Sequence, residues 1–152
     1  MFNLFLKNKS VIRTFTASIF LCGISFYIHS APKVKPLAIE ETVPINFGTI
    51  AGDNGICSMQ SGGVLVGSSG QSCSGIQTPA EFRVGGTNGQ VVDISVTGGT
   101  VQGITFRPLI DGPSIITMQG SSTSIFVIGE LELNGASQGS ISIPYIFSAN
   151  YQ

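Results

Sequence analysis

Short stretches of alternating apolar and polar residues, separated by turn residues, recur along this chain after residue 42. Val92, Ile94 and Val96 alternate with polar residues, and residues 124–133 place apolar side chains or glycine at every odd position. Side chains two apart share one face of a strand, so each stretch predicts a strand with a buried face. No window shows a helical period with caps. The spacing of about ten residues between stretches is typical of an all-β sandwich or barrel.

The composition agrees with strands joined by tight turns. The chain has 20 glycines and only 10% charged residues, which disfavours a helical bundle. Strands are predicted at residues 42–50, 64–66, 81–84, 92–96, 104–106, 115–118 and 124–133, and from residue 140 to the end. The Ser- and Gly-rich stretch 67–75 is predicted to be an exposed loop.

The first thirty residues have the order of a secretory signal peptide. Lys7, Lys9 and Arg13 precede an apolar run over residues 15–28, and small residues follow at Ser30 and Ala31. A membrane anchor is the alternative, but the run is shorter than the roughly 20 residues that span a bilayer. We therefore expect an exported protein with no stable membrane span after cleavage.

This interpretation divides the chain into three parts. Residues 1–30 form the signal peptide, and residues 43–152 form the β-sandwich domain. Residues 31–42 form an N-terminal extension, which is either a flexible linker or a donor strand for a neighbouring subunit. The extension has apolar residues on one parity, but Glu41 interrupts that face and two prolines lack backbone donors.

Charge and histidine content exclude several functions. After residue 30 the chain keeps four basic and eight acidic residues, a net charge of −4, so no basic patch is available for nucleic acid. The single histidine, His29, lies in the signal segment, which leaves no Ser–His–Asp arrangement and no histidine metal site. Glu130 and Glu132 share a strand face, and we interpret them as solvated carboxylates rather than a glycosidase pair. We expect no enzyme activity, cofactor or metal.

Two cysteines remain after signal cleavage, Cys57 and Cys73. A pair in an oxidising compartment predicts a disulfide, which would stabilise the fold by roughly 3 kcal/mol. A metal or redox pair is the alternative, but it lacks both histidine partners and the close spacing of redox cysteines.

The last fourteen residues alternate without interruption. One parity is apolar or glycine throughout, and the other is mostly small or polar. The first parity consists of Gly139, Ile141, Ile143, Tyr145, Phe147, Ala149 and Tyr151. An ordinary inward-facing strand of a sandwich would show the same alternation. Pro144, which lacks a backbone donor, predicts an edge or a bulge on one side of this strand.

The ending resembles the C-terminal signature of chaperone–usher pilins. Gly139 is fourteenth from the end, Tyr151 is penultimate, and apolar residues alternate between them. The resemblance implies that these seven residues form the interface at which a periplasmic chaperone or a neighbouring like subunit adds a strand. The segment 45–50, followed by Cys57, is similar to a pilin first strand.

A second resemblance spans roughly residues 43–152. Four segments in order, 47–50, 79–86, 127–131 and 138–152, are similar to a secreted bacterial family called domain of unknown function 4402. That family is regarded as pilin-like or surface-associated. Both resemblances imply an immunoglobulin-like (pilin-like) antiparallel β-sandwich.

These features together predict a non-enzymatic fimbrial subunit. It would pass through the periplasm and assemble by β-strand addition. Its final location would be the cell surface or the extracellular medium. A monomeric secreted or periplasmic binding module, similar to an adhesin, is the alternative function.

Overall fold

The computed structural model describes residues 33–52, 54–68, 72–136 and 142–152. The expected signal peptide, residues 1–30, lies outside these residues. In chain order, the strands are β1 (Ala38–Val43), β2 (Thr49–Ala51), β3 (Asn54–Met59), β4 (Leu65–Ser68), β5 (Ser72–Ser74), β6 (Ala80–Gly85), β7 (Val91–Thr97), β8 (Thr100–Val101), β9 (Ile104–Ile110), β10 (Ile115–Thr117), β11 (Ser122–Asn134) and β12 (Ile146–Tyr151). Within this part of the chain, no helix is long and apolar enough to cross a membrane.

The larger sheet is built around the long strand β11. Residues 122–127 of β11 pair with β6, and residues 129–134 continue along the same edge with β3. The opposite edge, residues 127–133, pairs with β9. Strand β1 extends the sheet beyond β6, β4 extends it beyond β3, and β8 pairs with β9.

The smaller sheet has the order β10–β7–β12, and β2 and β5 form a separate two-stranded pair. All the strand pairs are antiparallel. The smaller sheet therefore places the C-terminal strand β12 at one edge and the short strand β10 at the other.

Two clusters of buried side chains form the core. The first cluster joins β6 and β11 to the smaller sheet, and it contains Ala80, Phe82, Val84, Val92, Ile94, Met118, Ile125 and Val127. The second lies under the other half of the larger sheet, and it contains Phe47, Cys57, Met59, Ile104, Phe106, Leu131 and Leu133. Because the first cluster lies between two sheets, the prediction of an all-β antiparallel sandwich is confirmed.

The alternation of β11 explains why it is the central strand. Its odd residues from Ile125 to Leu133 are buried, whereas Phe126 is exposed and residues 128, 130 and 132 are only half-buried. Of these even residues, Ile128 still packs against the second core cluster. The alternation agrees with the period-two pattern of the sequence, since a strand between two partners must bury one whole face.

The prediction of one continuous strand over residues 42–50 is wrong. Residues 42–50 are divided: β1 ends at Val43, Asn46 makes an isolated bridge to Thr78, and β2 begins at Thr49. Pro44 lacks a backbone donor, and Gly48 has φ +68°, where an added Cβ would lie 2.5 Å from the Ser74 carbonyl oxygen. These two residues change the direction of the chain.

Two further segments differ from the simple pattern. The stretch 67–75, predicted as a loop, contains β5, which pairs with β2. Residues 38–42, assigned from the sequence to the extension 31–42, belong to β1, which pairs with β6, so the paired structure begins at Ala38. That residues 31–42 donate a strand to a neighbour stays a prediction.

Candidate functional site: the C-terminal strand and its cleft

Strand β12 has a paired edge and an open edge. The Gln152 amide donates to the Val91 carbonyl oxygen at 3.0 Å, and the register continues from Tyr151↔Val92 to Ile146↔Thr97. Backbone groups alternate in direction along an antiparallel strand, so the even residues of β12 bond to β7 and the odd residues point away. Among the described strands, none pairs with that outer edge.

The odd residues of β12 turn their side chains into the first core cluster. Phe147, Ala149 and Tyr151 pack against it. The Phe147 ring stacks on Phe82 with centroids 4.1 Å apart and an interplanar angle of 7°. The apolar parity predicted from the sequence therefore faces inward, while the backbone amides of the same residues face the open edge.

Pro144 affects only the paired side of the C-terminal segment. Its carbonyl oxygen approaches Gly99, where an added Cβ would lie 2.9 Å from it. Gly99 follows β7, so the even residue Pro144 faces the β7 side, and its missing donor costs no hydrogen bond on the outer edge. The ladder with β7 begins two residues later, at Ile146.

A cleft continues the open edge towards the N-terminal end of this segment. Residues 44–52 form one wall and residues 142–145 form the other. The cleft has a volume of about 1270 Å³. Its lining consists of Glu41, residues 44–52, Ile104, Phe106, Leu131, Leu133, Ala136 and residues 142–145. Much of the lining belongs to the second core cluster and to the partly buried residues that pack against it.

Tyr145 lies where the two core clusters meet. Its ring makes edge-to-face contacts with Phe82 and Phe106, at centroid distances of 6.0 Å and 5.6 Å. Its hydroxyl donates to Glu41 Oε1 at 2.5 Å, which joins the C-terminal segment to β1. Burial, followed by the hydrogen bond and negative charge of Glu41, raises the pKa of Tyr145 well above its ordinary value, although the Ile45 backbone opposes the shift.

Tyr151 joins the same two segments at the other end of β12. Its hydroxyl donates to the Lys35 carbonyl oxygen at 2.8 Å and accepts from the Thr87 amide at 2.8 Å. The two tyrosines are six residues apart, about 20 Å along a strand. The N-terminal segment is therefore fixed to both ends of the C-terminal strand.

The disulfide between Cys57 and Cys73 connects β3 to β5. Cys57 is fully buried, and Cys73 and Ile50 pack against the second core cluster. Because β5 pairs with β2, the disulfide attaches the β2–β5 pair, and with it part of one cleft wall, to the larger sheet. The sequence prediction of this pairing is confirmed.

The seven residues proposed from the sequence divide into two groups. Ile143, Tyr145, Phe147, Ala149 and Tyr151 lie in one line along the C-terminal segment, whereas Gly139 and Ile141 lie outside the described residues. The sequence interpretation did not include the opposite wall, residues 44–52, or Glu41. Pro44 and Gly48 interrupt the strand that was predicted over residues 42–50. They were the sequence feature that could have indicated this wall.

The two carboxylates considered for catalysis have structural partners. Glu132 forms an ion pair with Arg107, and Glu130 accepts from the Ser58 hydroxyl at 2.9 Å. Both lie on the outer face of β11, away from the cleft. In the described ranges, no group of three or more His, Cys, Asp or Glu residues is placed to hold a metal ion.

Comparisons of the chain with models of protein families, with curated proteins and with solved structures find no match. The resemblances to chaperone–usher pilins and to domain of unknown function 4402 therefore stay predictions.

Proposed function

We propose that this protein is a non-enzymatic, pilin-like structural subunit that joins a bacterial surface polymer by β-strand addition. An incoming strand would pair with the outer edge of residues 142–151 and place alternate side chains in the cleft. The open edge of β12 beside a cleft that residues of the second core cluster line is the observation that carries this proposal. Export through the periplasm and capture by a chaperone belong to the same proposal.

The edge of β12 lacks the usual protection against strand pairing. Exposed edges are normally protected by charged side chains, proline or short length. Residues 146–151 contain neither a charged residue nor a proline, and the strand is six residues long. In comparison, β1 carries Glu40 and Glu41, and β10 has only three residues. Strand β12 is thus better suited to an added strand than β1 or β10 is.

The shape of the cleft favours an extended polypeptide over a small ligand. Pockets for small molecules are usually about 300–1,000 Å³ and enclose most of the ligand. This cleft is larger, about 1270 Å³, and continues into an open strand edge. Main-chain hydrogen bonds along the edge would provide affinity, and alternate apolar side chains in the cleft would provide specificity.

A proline at Ala149 tests the proposal directly. The Ala149 amide points to the open edge, and proline is tolerated on an edge strand when its nitrogen faces solvent. Ala149→Pro should therefore keep the monomer folded but prevent strand addition, whereas the control Ala149→Ser keeps the amide and should assemble. Sedimentation and electron microscopy of the purified mature protein measure assembly, and circular dichroism checks folding.

Two results would contradict the proposal. One is a folded Ala149→Pro variant that assembles as well as Ala149→Ser. The other is a wild-type protein that remains monomeric at every concentration and binds a soluble ligand in the cleft, which would favour the binding-module alternative.

A further inference from the structure

A small hollow lies beside the turn between β6 and β7. Three segments line it: the chain before β1, the β6–β7 turn, and the chain between β10 and β11. Its volume is about 180 Å³, and its lining consists of Lys33, Lys35, Gly86, Thr87, Asn88, Gly120 and Ser121. None of these seven residues is acidic, so the hollow combines two positive side chains with the polar groups of two loops.

The segment that carries both lysines is fixed within its own subunit. The Lys35 amide donates to the Thr87 hydroxyl at 2.7 Å, and the Lys35 carbonyl oxygen accepts from the Tyr151 hydroxyl at 2.8 Å. Gly86 makes this packing possible, because a Cβ there would lie 2.6 Å from the Tyr151 hydroxyl and 3.0 Å from the Leu37 side chain. The hollow therefore belongs to the single subunit and needs no neighbour to form it.

Hydrogen bonds within the protein use acceptors of the hollow and leave donors for a ligand. Asn88 Oδ1 accepts from the Gly120 amide at 2.8 Å, and the Ser121 carbonyl oxygen accepts from the Gly86 amide at 3.0 Å. The Thr87 hydroxyl oxygen likewise accepts from a backbone amide. The Asn88 side-chain NH₂ group and the Thr87 hydroxyl hydrogen thus remain as donors.

The two lysines differ from the two arginines of the domain in their surroundings. Arg107 forms an ion pair with Glu132, and Arg83 lies opposite Glu40 in the β1–β6 ladder. In the described ranges, neither lysine of the hollow forms an ion pair. The two cations without a carboxylate partner are therefore the two that line the same hollow.

We infer that this hollow binds a tetrahedral oxyanion, a sulfate or phosphate group that is free or carried as a monoester on a sugar. Lysine ammonium groups attract such an anion as point charges, and the hydroxyl and amide hydrogens add directed bonds. The hollow is smaller than the roughly 300–1,000 Å³ of small-molecule pockets, so it takes the charged group rather than a whole ligand. It shares no lining residue with the cleft, and the inference does not depend on strand addition.

Nuclear magnetic resonance of the isotope-labelled, monomeric mature protein tests this inference. Sodium sulfate and sodium phosphate should shift the amide signals of residues 86–88 and 120 more than sodium acetate does at equal ionic strength. Lys33→Gln and Lys35→Gln should each weaken sulfate binding by up to about fivefold, the range for an exposed ion pair. Arg83→Gln is the matched control, because it removes the same charge from an exposed position outside the hollow, and it should leave the affinity unchanged.

Asn88→Asp is the sharpest variant. The new carboxylate can still accept from the Gly120 amide, but it replaces the donating NH₂ group with a negative charge. It should weaken sulfate binding by more than about tenfold.

Glucose 6-sulfate and glucose 6-phosphate, with glucose as the control, distinguish the two sources of the anion. Tighter binding of the esters than of the inorganic ions would support the inference with a sugar as carrier, and equal binding would support it with the free ion. Equal sulfate affinity of the wild type, the double lysine variant and Asn88→Asp would overturn the inference. Equal shifts with acetate and sulfate would also overturn it.

Discussion

At the scale of single residues, the two tyrosines of the C-terminal segment differ in the hydrogen bonds that their hydroxyls make. The Tyr151 hydroxyl both donates and accepts in a half-buried site, and it is the only partner recorded for the Thr87 amide among the described residues. The Tyr145 hydroxyl has an exposed carboxylate as its acceptor. Loss of a buried hydrogen-bond partner costs more than loss of an exposed one.

We therefore expect Tyr151→Phe to lower the free energy of unfolding by about 1–2 kcal/mol. The matched variant Tyr145→Phe should lower it by about 0.5 kcal/mol, because Glu41 can be solvated instead. Urea unfolding of both variants measures the difference. A larger loss for Tyr145→Phe than for Tyr151→Phe would contradict this assignment.

Gly129 is a second residue whose role is clear from the structure. It lies in the middle of β11 with φ +149°, and an added Cβ would lie 2.3 Å from the Arg107 carbonyl oxygen. Gly112 has a similar φ of +141°, but an added Cβ there would meet nothing within 4 Å. A comparison of substitutions at the two glycines therefore distinguishes the cost of backbone strain from the cost of a clash between strands.

Gly112→Ala should therefore destabilise the protein by about 1 kcal/mol, the cost of an unfavourable φ. Gly129→Ala adds a clash between paired strands and should cost more than about 3 kcal/mol. Thermal and urea unfolding provide both values. Similar losses for the two variants would show that the contact at Arg107 is not limiting.

At the scale of elements, the β2–β5 pair depends on its attachment to the larger sheet. Each strand has three residues and pairs only with the other within the described chain. A two-stranded pair alone is marginal in water, so packing and the Cys57–Cys73 disulfide must hold it over the second core cluster. This pair also forms part of the cleft wall.

Reduction of the disulfide, or a Cys57→Ala/Cys73→Ala double variant, should lower the free energy of unfolding by roughly 3 kcal/mol. Amide hydrogen exchange should accelerate most in β2 and β5, while β7 and β12 keep their protection relative to global unfolding. Uniform acceleration in all strands would contradict a local role for the disulfide.

The strands could be predicted from sequence wherever alternation decides the structure. Strands β6, β7, β9 and β11 follow their period-two patterns because one face of each is buried. Residues 42–50 share that pattern, yet Pro44 and Gly48 break the strand, since both act on the backbone and leave the alternation of side chains unchanged. Residues 72–74 form β5 through pairing with β2, a contact that local composition cannot predict.

At the scale of the whole molecule, the sandwich is open on the side that β12 borders, because no described strand pairs with the outer edge of β12. The Tyr145 hydroxyl bonds to Glu41 of β1, and the Tyr151 hydroxyl of β12 bonds to Lys35 before β1. Strands β1 and β12 share no backbone ladder. The cleft continues this open side between residues 44–52 and 142–145. An added strand would provide the missing ladder and fill the cleft beside the second core cluster.

Only one half of this site could be predicted from the sequence. In the C-terminal segment from Ile143 to Tyr151, the alternation of the sequence shows which apolar residues share a face. The facing wall and Glu41 are about 100 residues away in sequence, and only the packing of the two sheets brings them together. The open side is thus a tertiary property, although the strand that borders it has a clear local pattern.

The central claim, assembly by strand addition, is tested most directly on material sheared from the surface of the native cells. We would separate it on a denaturing gel, boiled and unboiled, and detect this chain with an antibody. If subunits are held together by strand addition, the unboiled lane should show a ladder of bands that collapses to one monomer band on boiling. A single monomer band in both lanes would contradict it.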